Sequence, residues 1–320
     1  MHKFLSCLLL VCATLASAET YKIAAVSMAT SGPYWDCVHA GVQKAVREFK
    51  AQGVQIDLIW TGPENEGQLG RQIEIVREMI QQKVNGIVIA PCDSVALSSP
   101  VQAAVQAKIP VVVIDSGLKA SGQLCLISTD NYKGGVLGAR RLASLMEGKG
   151  NAILFRNRKG AGSTEQRERG FLDTIKSQYP DIHVISSDQY SGGDTKSAEK
   201  TALDLIASLG ARTDGVFASN EVSNHGMLYA LRQKAFAGGK IKFVGFDTNS
   251  EIIEALKSGD MQGTVAQNPI NMGYLGVKTL VSHLQGKATE GEIDTGCVVV
   301  TPDNMINPMV AELIRKPVLE

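Results

Sequence analysis

The sequence has no excess of charge of either sign, because 32 lysines and arginines balance 32 aspartates and glutamates. Such a balance does not favour nucleic acid or an anionic membrane surface as a partner. Beyond its N-terminal segment the sequence also lacks any apolar run long enough for a membrane-spanning helix. We therefore expect a protein that binds no nucleic acid and is not embedded in a membrane. Its 320 residues predict roughly two domains.

The short motifs of common enzyme and metal-site classes are absent as well. There is no G-x-S-x-G, no H-E-x-x-H and no P-loop. No two cysteines have the C-x-x-C spacing of a metal site, and the histidines after the N-terminal segment are scattered singly. The sequence therefore predicts no cofactor, no metal and no enzyme, although Asp115 and Asp247 could in principle form a glycosidase pair.

The first 18 residues have the pattern of a secretory signal peptide. Lys3 gives a basic start, residues 4–15 form a short apolar run, and Ala16-Ser17-Ala18 is a cleavage site of small residues. Cleavage would export a chain that keeps four cysteines: Cys37, Cys92, Cys125 and Cys297. These could form disulfides in one of three pairings or remain buried thiols, and the sequence favours the thiols only slightly.

Apolar strand patterns alternate with helical patterns along the rest of the chain. The apolar segment 21–26, for example, precedes a helical stripe that includes Val38, Val42 and Val46. Nearly continuous apolar strands that alternate with helices are typical of a parallel sheet covered on both faces. The predicted fold class is therefore α/β, and the same architecture occurs twice, with a break at residues 129–131.

Polar and aromatic side chains follow several of the predicted strands. Asp115 follows the apolar segment 109–114, and Asp247 follows the segment 240–246. The carboxyl ends of parallel strands face the ligand crevice of an α/β sheet, so such side chains are candidate ligand contacts. The set comprises Tyr34, Trp35, Asp115, Arg167, Asn220, Phe246, Asp247 and Gln267. Carboxylates, amides, an arginine and aromatic rings together suit a small polyhydroxylated molecule, although a single strand-end aspartate is more often a turn residue.

A basic segment, Arg156-Asn157-Arg158-Lys159, lies between a predicted strand and the helix that begins near Ser163. Cationic side chains beside a helix N-terminus can hold an anion, which would suit a sugar acid or a phosphorylated ligand. Charge runs usually face water, so a solvated loop is the favoured interpretation of this segment.

The motifs resemble, in order and spacing, the ribose-binding type of periplasmic sugar-binding proteins of ABC importers. The resemblance extends from Lys22 to about Val300 and rests on Gly32-Pro-Tyr-Trp35, Ile109 to Asp115, Thr129-Asp-Asn131, Arg167-Glu-Arg-Gly170, Phe217-Ala-Ser-Asn220-Glu221, Val244-Gly-Phe-Asp247 and Val265-Ala-Gln267. It implies a type I periplasmic binding fold, in which two Rossmann-like lobes with parallel sheets are joined by a three-strand hinge.

The resemblance also implies the division of the chain. Residues 19–129 plus 268–296 would form an N-terminal lobe, and residues 130–267 plus 297–320 a C-terminal lobe. The chain would cross between them near residues 129–131, 265–268 and 296–298. A ligand that contacts both lobes would stabilise the closed form, because it binds that form better.

The resemblance assigns roles to the candidate residues. Tyr34 and Trp35 would stack on a sugar, and Phe246 would lie against it beside Asp247. Its hydroxyls and ring oxygen would bind Asp115, Arg167, Asn220, Asp247 and Gln267. The implied function is that of a periplasmic monomer that captures a monosaccharide or related polyol and delivers it to an ABC importer permease. The alternatives are a ligand-sensing protein for a chemoreceptor or sensor kinase and, less favoured, a carbohydrate-active enzyme.

Three positions depart from the ribose-type pattern. Gly32 stands where that pattern has asparagine, Ser116 stands where arginine follows the strand-end aspartate, and Gly193 falls where an aromatic residue would cover the second sugar face. Tyr190 is a candidate replacement for the missing ring. Ser116 is counted among the predicted ligand contacts. Together, the three departures predict a ligand other than ribose.

Overall fold

A computed structural model of the chain describes residues 20–289 and 291–315. The predicted signal peptide, residues 1–18, lies outside the described residues, as do residues 316–320. The described residues form two six-stranded sheets with helices on their faces. The predicted α/β class is therefore confirmed.

The first sheet has the strand order β11-β5-β4-β3-β1-β2, and every neighbouring pair in it is parallel. Four helices pack on it, and we call the sheet with these helices the N-lobe. Its strands are β1 (Thr20–Val26), β2 (Gln55–Thr61), β3 (Gly86–Ile89), β4 (Val111–Ile114), β5 (Cys125–Ser128) and β11 (Glu292–Asp294). Its helices are α1 (Pro33–Ala51), α2 (Leu69–Gln81), α3 (Ser98–Gln106) and α9 (Pro269–Leu284).

The second sheet has the order β12-β10-β9-β8-β6-β7 and is parallel except for the antiparallel pair of β12 with β10. We call this sheet with its helices the C-lobe. Its strands are β6 (Gly150–Phe155), β7 (Ile182–Ser186), β8 (Gly215–Ala218), β9 (Lys242–Phe246), β10 (Gly263–Gln267) and β12 (Cys297–Val300). Its helices are α4 (Asn131–Leu145), α5 (Gly162–Gln178), α6 (Thr195–Leu209), α7 (Glu221–Gln233), α8 (Ser250–Ser258) and α10 (Pro308–Leu313).

The chain passes between the sheets at three places, namely after β5, after β10 and after β11. Two of these passages are hydrogen-bonded to each other, because the amides of Asp130 and Gly296 both donate to Asp294 Oδ1, at 3.0 and 2.8 Å. The positions of these three passages support the lobe boundaries expected from the sequence, which stay a prediction.

The central strands of both sheets are buried on both faces, as their unbroken apolar sequences predict. All four residues of β3 and all four of β4 are buried, so each strand contributes side chains to both covering layers. The N-lobe has one continuous hydrophobic core, and the C-lobe core lies in two clusters. This rigid framework fixes the positions of the strand ends, where the candidate residues lie.

Helix pairs in both lobes pack with their backbones in contact at glycine. A Cβ atom on Gly41 of α1 would lie 1.9 Å from the Ile270 carbonyl oxygen of α9. In the C-lobe, a Cβ on Gly135 of α4 would lie 1.9 Å from the carbonyl oxygen of Arg167 on α5. Any larger side chain at these positions would force the helices apart, and at Gly135 it would also displace the backbone that carries Arg167.

We therefore expect Gly41→Ala to destabilise the protein by about 1–3 kcal/mol, because the added methyl group overlaps a main-chain carbonyl that cannot rotate away. The measurement is the free energy of unfolding in urea. Gly70→Ala is the matched control, since Gly70 is exposed in α2 with no atom within 4 Å of the added Cβ. There the alanine should be neutral or stabilising, by up to about 1 kcal/mol. Equal effects of the two substitutions would contradict the close packing of α1 and α9.

Candidate functional site

The carboxyl ends of strands from both sheets meet in a buried polar pocket of about 30 Å³, here called the inner pocket. Its lining residues come from both lobes and are Met28, Tyr34, Trp35, Glu66, Asp115, Asn157, Ala161, Ser163, Thr164, Arg167, Asn220, Glu221, Asp247 and Gln267. All of the candidates from the sequence line it except Ser116 and Phe246. Most residues that were selected because they follow predicted strands therefore lie close together in the structure, although they are far apart in the chain.

Asp115 follows β4 and is 4 % exposed, with a left-handed backbone at φ 65° that turns its side chain out of the strand. The hydroxyl of Tyr34 donates to its Oδ1 atom at 2.5 Å. Burial raises the pKa of Asp115 to about 6, while the Arg167 guanidinium and the Tyr34 hydroxyl act in the opposite direction. The Tyr34 ring thus brings a polar group to the pocket as well as an aromatic surface.

Asp247 follows β9 in the same way, with φ 73° and an exposure of 5 %. Its Oδ1 atom accepts from Gln267 Nε2 at 2.6 Å, and its Oδ2 atom accepts from the backbone amide of Glu221 at 2.9 Å. Burial raises the pKa of this carboxyl, and Arg167 lowers it. Asp115 and Asp247 are therefore equivalent strand-end carboxylates, one from each lobe.

Arg167 extends from α5 and is 2 % exposed. Its guanidinium donates to Asn131 Oδ1 at 2.8 Å and to the Ser219 carbonyl oxygen at 3.1 Å, and it lies 3.9 Å from Asp247 Oδ2. The fully buried ring of Phe246 stacks on it, with its centroid 3.8 Å from the guanidinium carbon. Phe246 thus lies behind Arg167 and holds it in place.

Asn220 and Ser116 differ in their position relative to the inner pocket. Asn220 caps α7, where its Oδ1 atom accepts from the amide of Ser223 at 3.0 Å, and it also lines the pocket. Ser116 lies outside the pocket lining, and its hydroxyl accepts from the backbone amide of Ser163 at 3.1 Å. Since Ser116 belongs to the N-lobe and Ser163 to α5, this contact joins the two lobes directly.

Among the pocket residues that sequence reasoning missed are three polar ones that follow strands along the chain: Glu66, Asn157 and Glu221. Glu66 lies in the loop after β2 and accepts from Trp35 Nε1 at 3.2 Å. Glu221 begins α7, and its Oε2 atom accepts from the backbone amide of Tyr34 in the other lobe at 3.2 Å. Burial raises the pKa of Glu221 to about 7. Asn157 and Glu221 lie within three residues of a strand end, so the rule that selected Asp115 could also have selected them, whereas Glu66 lies farther along the loop after β2.

The basic segment is neither a solvated loop nor a cluster that faces one ligand. Arg156 pairs with the buried Glu168 at 3.0 Å, and burial raises the pKa of Glu168 to about 7. Arg158 donates across the cleft to the backbone carbonyl of Cys92. Tyr190 is the candidate replacement for the missing aromatic ring, and its ring centroid lies 5.7 Å from the guanidinium carbon of Arg156. It does not line the inner pocket.

A larger cavity of about 430 Å³, the outer cavity, adjoins the inner pocket between the lobes. The two spaces share Trp35, Glu66 and Glu221 as lining residues. His225 also lines the outer cavity, and its ring nitrogens lie 2.9 Å from Glu199 and 2.8 Å from Glu251. The shared residues therefore form the boundary between the buried pocket and the more open part of the cleft.

Within residues 20–289 and 291–315, no helix combines the length and apolar character that crossing a membrane requires. The same part of the chain contains no group of three or more histidine, cysteine, aspartate or glutamate side chains placed to hold a metal ion. The four cysteines that follow the predicted signal peptide form no disulfide with one another.

Comparison with known proteins gives consistent matches over nearly the whole described chain. A family model described as periplasmic binding protein domain matches residues 23–288. The chain is 26% identical to the ribose import binding protein RbsB of Haemophilus influenzae, over 92% of this chain and 97% of that protein. It is 28% identical to a xylitol-binding protein of Mycolicibacterium smegmatis, over 68% of this chain and 61% of that protein's length.

A solved structure gives a closer match. It is a carbohydrate transporter solute binding protein from Agrobacterium radiobacter in complex with D-arabinose. The two chains share 34% sequence identity with a TM-score of 0.87, over 93% of this chain and all of the other. The similarity therefore includes the arrangement of both lobes as well as the sequence.

The contacts of His225 predict a pH-dependent contribution to stability. A hydrogen bond with Glu251 is the main cause that raises its pKa from 6.5 to about 9. The protonated ring therefore stabilises the fold fully below about pH 6.5, and this contribution is lost as the pH rises through about 9.

Compared with wild type, His225→Gln should cost about 1 kcal/mol of unfolding free energy at pH 6 and much less at pH 10. Urea unfolding at both pH values measures this difference. His183→Gln, at an exposed position of β7, is the control and should show no such trend. A cost of His225→Gln that stays constant between pH 6 and 10 would contradict the ion pairs.

Proposed function

Because the chain belongs to the periplasmic binding protein family, we propose that it captures a monosaccharide or related polyol and delivers it to an ABC importer permease. The observation that carries this proposal is the inner pocket, a buried polar space lined by both lobes, together with the adjoining outer cavity of about 430 Å³. Relatives of the chain are a ribose import binding protein and an arabinose-bound solute binding protein, which supports the same ligand class. The family and the predicted signal peptide support a periplasmic location. We propose in addition that the protein is a monomer.

Closure of the lobes on the ligand is the proposed mechanism. Asp115 comes from the N-lobe, and Asp247 and Arg167 come from the C-lobe, so a ligand held by all three joins the lobes. It binds the closed arrangement better than the open one and shifts the population toward it. The permease would then recognise the closed form.

Each pocket residue has a proposed role that follows from its hydrogen-bonding capacity. The carboxylates of Asp115 and Asp247 accept from sugar hydroxyls, and the Arg167 and Asn220 side chains donate to sugar oxygens. Trp35 and Tyr34 cover the apolar C–H face of the ring. Phe246 and Ser116 serve the site through the neighbours they contact: Arg167 and Ser163. Gln267 adds one free amide oxygen.

We propose binding without catalysis. Both oxygens of Asp247 already accept hydrogen bonds from Gln267 and from the Glu221 amide, as expected of a carboxylate that is held to orient a ligand. Isothermal titration with D-ribose, D-arabinose, D-allose and xylitol tests the proposal. We expect saturable 1:1 binding of at least one of them, with the sugar recovered unchanged. Formation of a product, or no binding of any of the four, would refute it.

Asp247→Asn should weaken the binding of the best of these sugars by about 10- to 100-fold. The asparagine keeps the side-chain size and tolerates the left-handed backbone, but its NH₂ group cannot accept a hydrogen bond. One buried donor of the site or of the ligand is then left unpaired, at a cost of about 1–3 kcal/mol or more for a charged partner. The dissociation constant from titration is the measurement.

Asp204→Asn is the matched control for this substitution, because Asp204 is exposed on α6 and contacts Lys200 far from the pocket. Its dissociation constant should equal that of wild type. Binding by Asp247→Asn within threefold of wild type would show that the strand-end carboxylate does not hold the ligand.

A further inference from the structure

The helices α1 and α5 both begin beside the inner pocket without a cap of their own. Each follows the first strand of its sheet, which is β1 in the N-lobe and β6 in the C-lobe. Their N-cap residues, Gly32 and Ala161, make no side-chain hydrogen bond to the helix. Every other helix of the C-lobe named above is capped by the side chain of its own N-cap residue. The first amides of α1 and α5 therefore need acceptors from elsewhere.

The acceptor for α1 comes from the C-lobe. Pro33 begins the helix and has no amide hydrogen, so the first donor of α1 is the amide of Tyr34. Glu221 Oε2 accepts from that amide at 3.2 Å. The other carboxylate oxygen of Glu221 accepts from Asn249 Nδ2 at 2.6 Å, which holds the side chain in place. A negative charge at this end of a helix is favourable, because the helix dipole is positive there.

The acceptor for α5 comes from the N-lobe. Ser163 is the second residue of α5, as Tyr34 is of α1, and its amide donates to the hydroxyl oxygen of Ser116 at 3.1 Å. Ser116 is fully buried and Ser163 is 5 % exposed, so this hydroxyl and not bulk water satisfies the amide. A Cβ on Gly162 would lie 3.4 Å from the same oxygen, which shows how closely α5 approaches the N-lobe.

These two caps depend on particular side-chain acceptors. Other hydrogen bonds across the cleft end on backbone carbonyl oxygens, which every sequence provides: the Ser94 amide donates to Gly160, and the Arg158 side chain donates to Cys92. Ser116 stands where the ribose-type pattern has arginine. An arginine side chain has donors only and could not accept from the α5 amide. The cap on α5 therefore requires this departure from the pattern.

The contact between Glu221 and Tyr34 also joins the two strand-end carboxylates of the site. The backbone amide of Glu221 donates to Asp247 Oδ2 at 2.9 Å, and the hydroxyl of Tyr34 donates to Asp115 Oδ1 at 2.5 Å. Glu221 and Asp247 belong to the C-lobe, whereas Tyr34 and Asp115 belong to the N-lobe. The cap on α1 thus fixes the two carboxylates relative to each other when the lobes are together.

We infer that each lobe caps the first helix of the other, and that Glu221 and Ser116 are positioning residues that stabilise the closed form and are not ligand contacts. The inference rests on the proposed function, since the caps assist closure of the lobes on a sugar. When the lobes separate, water replaces each side-chain acceptor, so a cap adds to closure only the difference between the two acceptors. Each cap is therefore expected to have a modest effect on sugar affinity.

Exchange of single backbone amides with solvent, followed by NMR at pH 8, tests the two caps. At this pH the Glu221 carboxyl, whose pKa burial raises to about 7, is ionised. The sugar is the one of the four titrated above that binds best. In wild type we expect saturation with this sugar to slow exchange of the Tyr34 and Ser163 amides by about fivefold or more.

Ser116→Ala should restore fast exchange of the Ser163 amide in the sugar-saturated protein and leave the Tyr34 amide slow. Glu221→Ala should have the reverse effect, because each substitution removes one acceptor. A substitution that only damaged the fold would accelerate both amides. Each variant should also bind the sugar about three- to tenfold more weakly, since one cap no longer stabilises the closed form.

The matched controls are Ser177→Ala, at an exposed position of α5, and Glu74→Ala, at an exposed position of α2. Neither should change the two exchange rates or the dissociation constant. Thermal unfolding without sugar checks that all variants are folded. Should one of the cap variants not fold, the other still tests the pattern for its own helix. Should neither fold, the comparison of wild type with and without sugar decides.

Three outcomes would overturn the inference and leave sugar capture intact. These are no slowing of the two amides in wild type, equal acceleration of both in either cap variant, and weaker binding by Glu221→Ala with the Tyr34 amide still slow. The last result would make Glu221 a ligand contact. If none of the four sugars binds, the proposed function fails. Exchange without sugar then tests the caps, which consist of protein atoms alone, and absence of the crossed pattern there overturns them too.

Discussion

The site depends on the burial of one guanidinium among carboxylates from two lobes. Arg167 partly compensates the charges of Asp115 and Asp247, whose pKa values burial raises. Its position is fixed by a ring behind it and by acceptors beside it, and the helix that carries it packs against α4 through Gly135. The architecture of the C-lobe therefore keeps one positive charge in a place where water cannot replace it.

Most of the fold was predictable from the sequence, because long apolar strands and helices carry their own periodicity. The pattern missed the short strands β5 and β11; β11 is the edge strand of its sheet and has the polar sequence Glu292-Ile-Asp294. β5 pairs with β4 on one side and with β11 on the other, and Glu292 of β11 lies opposite Leu126 of β5. Such strands are defined by tertiary contacts between distant segments, and local propensity gives no signal for them.

For the site, the strand-end rule located the residues whose position depends on one strand. Glu66 was missed because it lies five residues beyond the end of β2, where the path of a loop decides what it contacts. Asn157 was hidden in a segment whose charges suggested exposure to water. Phe246 was expected against the ligand, but side chains alternate along a strand, and its ring packs behind Arg167 and beside Gly134. Whether these residues contact a ligand stays a prediction.

The three passages between the sheets also set an order of events in folding. The N-lobe contains α9 and β11, which come from the end of the chain, although its first strand begins at Thr20. A chain that emerges from its N-terminus therefore presents α1 and the apolar face of β3 and β4 before their covering helix exists. The whole C-lobe sequence up to β10 is synthesised in between. The exposed α1 surface around Gly41 is then a candidate for chaperone binding and for aggregation until residue 284 has emerged.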